Sequence, residues 1–148
     1  MKKLVTSIAM LAGIVAFTGC TKKSDTSKTP TTTTTTATMT ANAGGHTFSA
    51  SGIMVTADVQ AGGMNVTGSI AASSEAIILS VDKTPPAVGT YPISGFTIAS
   101  YGIGGTTKGG VYGTISFTSI SPDWEGTFSF TCDDSTKVTD GKFKIKAP

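Results

Sequence analysis

The chain has 148 residues, which is enough for one domain of ordinary size and too few for two. Charged residues make up 14% of it, below the ~25% of typical globular proteins. It contains no arginine, and from His46 onward six lysines against eight acidic residues leave a net charge of −2. A nucleic-acid-binding protein normally clusters Lys and Arg on one face, so we exclude nucleic acid as a partner.

The first 19 residues have the layout of a bacterial export signal. Lys2 and Lys3 form a positive n-region, and Leu4 to Phe17 form a mostly apolar h-region of 14 residues, shorter than the ~20 that a spanning helix needs. The sequence Phe17-Thr18-Gly19-Cys20 follows directly and resembles the lipobox of bacterial lipoproteins. The resemblance implies cleavage before Cys20, lipidation of its thiol and a membrane as partner. An ordinary secretory signal, with Cys20 as a bystander, is the alternative.

The next segment, Thr21 to Gly45, contains Pro30 followed by six consecutive threonines. This composition is typical of a disordered tether. The threonine run is also a candidate for O-glycosylation, with a bland spacer as the alternative. We therefore predict a signal peptide at 1–19, the lipidated cysteine and tether at 20–45, and a folded domain at 46–148.

Apolar and polar residues alternate repeatedly in the last 103 residues. A period of two over four to eight residues is the signature of half-buried strands. The segment Ala76 to Val81 is apolar nearly throughout, which predicts a central strand covered on both faces. The inward-facing sets predicted by the alternation are Ile53, Val55, Ala57 and Val59; Ile115 and Phe117; Phe128, Phe130 and Cys132; and Phe143 and Ile145.

Turn signals separate these runs at a spacing of about 8–12 residues. They include Ala61-Gly62-Gly63, Ala72-Ser73-Ser74, Pro85-Pro86, Ser94-Gly95, Gly102 to Gly110, Ser121-Pro122-Asp123, Asp133 to Thr136 and Asp140-Gly141. Outside the export signal, no segment keeps helical spacing for three turns. We predict an all-β fold, an antiparallel β-sandwich of about eight to ten short strands, with an up-and-down β-barrel as the alternative.

Three short segments resemble an uncharacterised lipoprotein domain family that is common in Bacteroidetes. They are Gly126 to Thr131, Val138 to Phe143, and Gly89-Thr90-Tyr91. The resemblance would extend from His46 to the end of the chain. It implies an all-β fold and an envelope location, and it supplies neither an activity nor a cofactor.

The sequence has one histidine and, if Cys20 is lipidated, one free thiol. His46 stands at the junction of tether and domain, where we expect a surface or strand-edge position rather than a catalytic base. Cys132 shares its face with Phe128 and Phe130, which predicts a buried thiol that behaves as a small hydrophobic group.

Asp133, Asp134 and Asp140 flank one predicted turn. Carboxylates gathered by a turn are the ligands that calcium prefers, but Asp is also an ordinary turn residue, and both interpretations stay open. The sequence Asp134-Ser135-Thr136 resembles the O-glycosylation acceptor of Bacteroidetes, with Ser135 as the acceptor.

The stretch from Tyr101 to Gly110 is rich in glycine but does not match a phosphate-binding loop. Lys108 follows Thr107 where a P-loop requires Gly, and the same threonine stands where a dinucleotide fingerprint requires its third Gly. We predict a mobile hairpin loop there. Tyr101, Tyr112 and Trp124 are candidates for a sugar-binding platform, with burial in the core as the alternative.

Two functions fit these observations. The favoured hypothesis is a lipid-anchored outer-membrane protein, on the periplasmic or the surface face, whose non-enzymatic domain binds or scaffolds a glycan or an envelope protein. We assign it no catalytic, metal-binding or cofactor-binding residue. The alternative is a glycan hydrolase with Asp58 or Glu75 as one carboxylate and Asp123 or Glu125 as the other, which requires a separation of ~5–9 Å.

Overall fold

The computed structural model describes residues 36–60, 63–83 and 87–148, and these residues form ten β-strands. Outward positions of the strands are mostly Thr and Ser. Thr favours strands, and neither residue favours the interior of a helix. The strands are β1 (Thr38–Ala43), β2 (His46–Ser51), β3 (Val55–Gln60), β4 (Gly63–Ile70), β5 (Glu75–Val81), β6 (Gly89–Pro92), β7 (Ile98–Ile103), β8 (Thr106–Ile120), β9 (Asp123–Cys132) and β10 (Lys137–Lys146). One 3-10 turn, Gly52–Met54, joins β2 to β3.

All strands belong to one antiparallel sheet with the order β2-β1-β10-β9-β8-β7-β5-β4-β3, and β6 pairs with β8 beside this path. The long strand β8 divides the sheet into two layers. Its first residues, Thr106 to Gly109, pair with β7, whereas its remainder from Gly110 pairs with β9. We call β6, the second part of β8, β9, β10, β1 and β2 the front layer, and the other strands the back layer.

The two layers pack face to face around one hydrophobic core. Met39 of β1 lies over Gly68 of β4, so closely that a methyl group at Gly68 would stand 2.7 Å from the Met39 sulfur. Phe117 is surrounded by the rings of Trp124, Phe143 and Tyr91, with centroid distances of 5.8, 5.1 and 6.3 Å. The predicted all-β antiparallel fold is therefore confirmed. Its continuous, nearly closed sheet has features of both the sandwich and the barrel.

The folded domain begins earlier than His46. Strand β1 lies inside the segment predicted to be tether and is inserted between β10 and β2. Its inward residues Met39, Ala41 and Ala43 are buried. The prediction failed because two of these three side chains are small, so the alternation carried little hydrophobicity.

Most of the predicted inward-facing residues are buried, but the burial predicted for two segments is not observed. Ile53 was expected to face inward, yet it sits in the 3-10 turn and is 92% exposed, and Val59 is also exposed. The period breaks because Gly52 has a φ of +62°, which turns the chain before β3 begins. The prediction that Ala76 to Val81 is covered on both faces is wrong, since Ile78 is 40% exposed while Ile77 and Leu79 are buried.

Two predicted loops are strands instead. In the stretch from Gly102 to Gly110, the turn consists of Gly104-Gly105 alone, both with positive φ, and Thr106 to Gly110 belong to β8. The predicted turn at Asp140-Gly141 lies within the continuous strand β10. The same residue types serve tight turns and β-bulges, because both need a backbone with positive φ.

Several predictions fall outside the described residues. These are the signal peptide at 1–19, Cys20, the tether as far as residue 35, the turn residues 61–62, and Pro85-Pro86. The described residues all belong to one compact unit, Thr33–Pro148. Within them, no helix is both long enough and apolar enough to cross a membrane.

Candidate functional site

Two β-bulges flank the same stretch of β9. On one side, the pairing of β8 with β9 shifts between Gly110 and Tyr112. On the other side, the pairing of β10 with β9 shifts between Val138 and Gly141. Bulges leave a residue unpaired and re-aim side chains, and they are over-represented beside functional sites.

The bulge in β8 explains why a large aromatic ring faces solvent. Tyr112 and its neighbour Val111 are both exposed, although adjacent residues of a regular strand point to opposite faces. Tyr112 pairs with Thr131, and the exposed fraction of Tyr112 is 61%. The bulge thus places a tyrosine ring on the outer face of the front layer.

The bulge in β10 is built from Asp140 and Gly141. Asp140 has a φ of +55°, and its carboxylate accepts a hydrogen bond of 3.0 Å from the Thr139 hydroxyl. Any side chain at Gly141 would collide with Phe128, because a methyl group there would stand 2.5 Å from the ring. Glycine therefore allows β10 to approach β9 closely while the bulge pushes Thr139 and Asp140 outward.

Around the two bulges, polar side chains form a shallow concave surface. Three adjoining depressions of about 570, 260 and 560 Å³ indent it, and Thr139 lines all three. We call this region the bulge surface and define it by eight exposed residues, which are Thr40, Asn42, Tyr112, Ser129, Lys137, Thr139, Asp140 and Lys142.

The chemistry of the bulge surface is that of hydrogen bonding beside one aromatic face. The bulge surface carries three hydroxyls, one amide, one carboxylate and two ammonium groups, and Ser129, Lys137 and Thr139 line the same depression as Tyr112. Neither Lys137 nor Lys142 forms a salt bridge within the part of the chain that the structure describes. Both ammonium groups are therefore free to donate to a ligand.

A second polar cluster lies at one end of the interface between the layers. Glu75 begins β5 and is buried, and its Oε1 lies 2.7 Å from Nε2 of His46 at the start of β2. The Tyr101 hydroxyl donates to the same oxygen over 3.3 Å. His46 is 46% exposed at a strand edge, as predicted. Burial, together with the nearby Glu75 carboxylate, raises the pKa of Tyr101 to about 12.

This cluster satisfies a buried carboxylate and ties the end strand β2 to the back layer. The burial of this carboxylate could be predicted, because Glu75 occupies the inward register of Ile77, Leu79 and Val81. The partner of Glu75 was not foreseeable, since His46 lies 29 residues away.

The carboxylates of the hydrolase hypothesis lie on different faces. Glu75 points inward in the back layer, and Asp58 lies on the outward register of β3, bonded to Gln60 at 2.6 Å. Asp123 and Glu125 lie on the outward register of β9 in the front layer, where both contact Lys144. None of these four carboxylates lines any of the three depressions of the bulge surface.

The aspartates considered as calcium ligands have other partners. Asp134 forms a salt bridge of 2.6 Å with Lys108 and accepts a hydrogen bond from the Thr136 backbone N–H. The Lys108 bond is the main reason why the pKa of Asp134 falls to about 2. Asp140 accepts from Thr139. In residues 36–60, 63–83 and 87–148, no three His, Cys, Asp or Glu side chains converge to hold a metal ion.

The remaining candidates divide between core and surface. Cys132 is buried as predicted, and burial raises the pKa of its thiol. Tyr101 and Trp124 are core residues, so the three aromatic residues do not form a common platform and Tyr112 alone is exposed. Ser135 is exposed in the turn between β9 and β10, with a φ of +69°.

In comparisons with protein-family models, curated proteins and solved structures, no significant match to this chain was found.

Proposed function

We propose that this protein is a lipid-anchored component of the bacterial outer membrane whose β-domain is a non-enzymatic, glycan-binding module. Export and lipidation rest on the sequence from Met1 to Cys20, which has the order of charges, apolar residues and small residues that a lipoprotein precursor needs. The binding function rests on the bulge surface.

The observation that carries the proposal is the exposure of Tyr112 beside a concave surface lined with hydroxyls. An aromatic ring offers a flat apolar face on which the C–H face of a sugar ring packs. The adjoining hydroxyl, amide and charged groups form hydrogen bonds with sugar hydroxyls, and bonds to charged groups are the stronger ones. Shallow, open depressions suit a segment of an extended oligosaccharide better than an enclosed small molecule.

The anchor is tested by replacing Cys20 with serine. Two acyl chains hold a protein stably on a membrane, whereas a protein without them has no such anchor. We expect C20S to remain an unprocessed precursor or to appear in the aqueous fraction. Normal processing of C20S, with retention in carbonate-washed membranes, would contradict lipidation.

The nature of the ligand is tested by capture from the native envelope. The chain from residue 20 onward, carrying C20S, is immobilised and exposed to solubilised envelope, and retained carbohydrate and retained protein are measured separately. We expect carbohydrate to be retained. Retention of a protein partner free of carbohydrate would replace the glycan-binding proposal with a scaffolding function.

A further inference from the structure

The end of the domain where the tether enters carries the most exposed of its large apolar side chains. Ala37 immediately precedes β1, and its carbonyl accepts a hydrogen bond of 2.8 Å from the Gly52 backbone N–H. Ile53 follows Gly52 in the chain, and 92% of Ile53 is exposed. Ile53 therefore projects from the same point of the surface at which the N-terminal segment joins the domain.

The strand ends beside the turn that carries Ile53 are polar. β1 begins at Thr38, opposite Ser51 of β2 and Lys144 of β10. Lys144 forms salt bridges with Glu125 and Asp123. Lys146, two residues further along β10, is exposed and lies opposite Asp123 of β9. An apolar side chain this exposed favours the interfacial region of a membrane.

The N-terminal segment connects this end of the domain to the proposed anchor. Thr21 to Ala37 comprises 17 residues, and a chain of that length reaches at most roughly 60 Å. The exposed Phe96 lies at the far end of the back layer. It precedes β7, whose first residue Ile98 pairs with Ser80 near the end of β5. The tether thus favours Ile53 over Phe96 for contact with the bilayer.

We infer that the turn Gly52–Met54 is a membrane-contact element that places Ile53 in the headgroup region of the bilayer holding the anchor. This inference rests on the lipid anchor of the proposed function. In this orientation β1 runs away from the membrane, and Asn42 lies about 13 Å further along the strand than Thr38. The bulge surface is then displayed on the side away from the bilayer.

The test uses the full lipidated chain reconstituted into vesicles of phosphatidylethanolamine and phosphatidylglycerol. Ile53→Cys is labelled with a polarity-sensitive nitrobenzoxadiazole dye, and Phe96→Cys, 80% exposed at the far end of the back layer, is the matched control. Cys132 is buried and its thiol pKa is raised, so it reacts slowly under native conditions. Wild-type protein treated with the dye under the same conditions is the control, and we expect it to take up little label.

At Ile53→Cys we expect emission to move to shorter wavelength and to fall by roughly half when spin-labelled lipid is included, because interfacial apolar groups lie ~5–10 Å into the boundary region. Phe96→Cys should show neither effect. Equal quenching at both positions, or none at Ile53→Cys in protein that floats with the vesicles, overturns the inference and leaves the anchor intact. Failure of the wild-type chain to float with vesicles overturns the anchor itself.

Discussion

Removal of the Phe130 ring should destabilise the domain severely. Phe130 is buried, stacks on Phe128 at a centroid distance of 6.3 Å, and lies against the backbone of Gly110 and Gly113 in β8. A β-bulge and two glycines fix the backbone around the ring, so we expect the cavity to collapse little. Replacing a buried Phe with Ala typically costs ~3–5 kcal/mol, a large part of the ~5–15 kcal/mol that stabilises a domain.

The assay is a thermal melt followed by circular dichroism. Since 1 kcal/mol moves the melting temperature of a domain this size by ~4–8 °C, F130A should lower it by more than ~10 °C or prevent folding. The control is S129A, because Ser129 is adjacent and exposed on the outer face, where substitutions usually change stability by less than ~0.5 kcal/mol. Equal losses in the two variants would refute the inward register of β9.

Two further predictions concern ionisation and the domain boundary. The raised pKa of Tyr101 means that the unfolded chain loses this phenol proton first. The free energy of unfolding should therefore fall as pH rises from 10.0 to about 12. Denaturant melts should show a smaller pH dependence in Y101F than in the wild-type protein. The same pH dependence in both proteins would contradict the burial of the hydroxyl. Limited proteolysis with mass spectrometry should leave a core that begins near Thr36 and retains β1, whereas a stable core that begins at His46 would contradict the pairing of β1 with β10.

The alternation of side chains predicted the fold wherever the inward residues are large. Phe128, Phe130, Phe143 and Ile145 are buried as expected, because burial of each large side chain outweighs local backbone preferences. Strand β1 could not be predicted from alternation, because two of its three inward side chains are alanines. In the sequence the alternation runs on through Gly52, whereas in the structure the positive φ of this residue ends the period.

The candidate site was largely beyond sequence analysis. A bulge is defined by the pairing of two strands, so the exposure of Tyr112 depends on its register with Thr131 rather than on its own neighbours in the chain. Likewise, Asp140-Gly141 has the composition of a turn, and only the continuation of β10 on both sides makes it a bulge. Of the three aromatic residues that the sequence offers as a platform, Tyr101 and Trp124 lie in the core and only Tyr112 belongs to the site.

The most direct test of the central claim is the binding of this chain to a glycan array with and without the ring of Tyr112. The chain from residue 20 with C20S is compared with the same chain carrying Y112A or Y112F. Sugar–aromatic stacking depends on the ring face, so removal of the Tyr112 ring removes both this contact and the apolar area that it buries. We predict that Y112A weakens binding about ten-fold or more and that Y112F retains most of it. Undiminished binding by Y112A, or no binding of any glycan by the unsubstituted surface, would contradict the account.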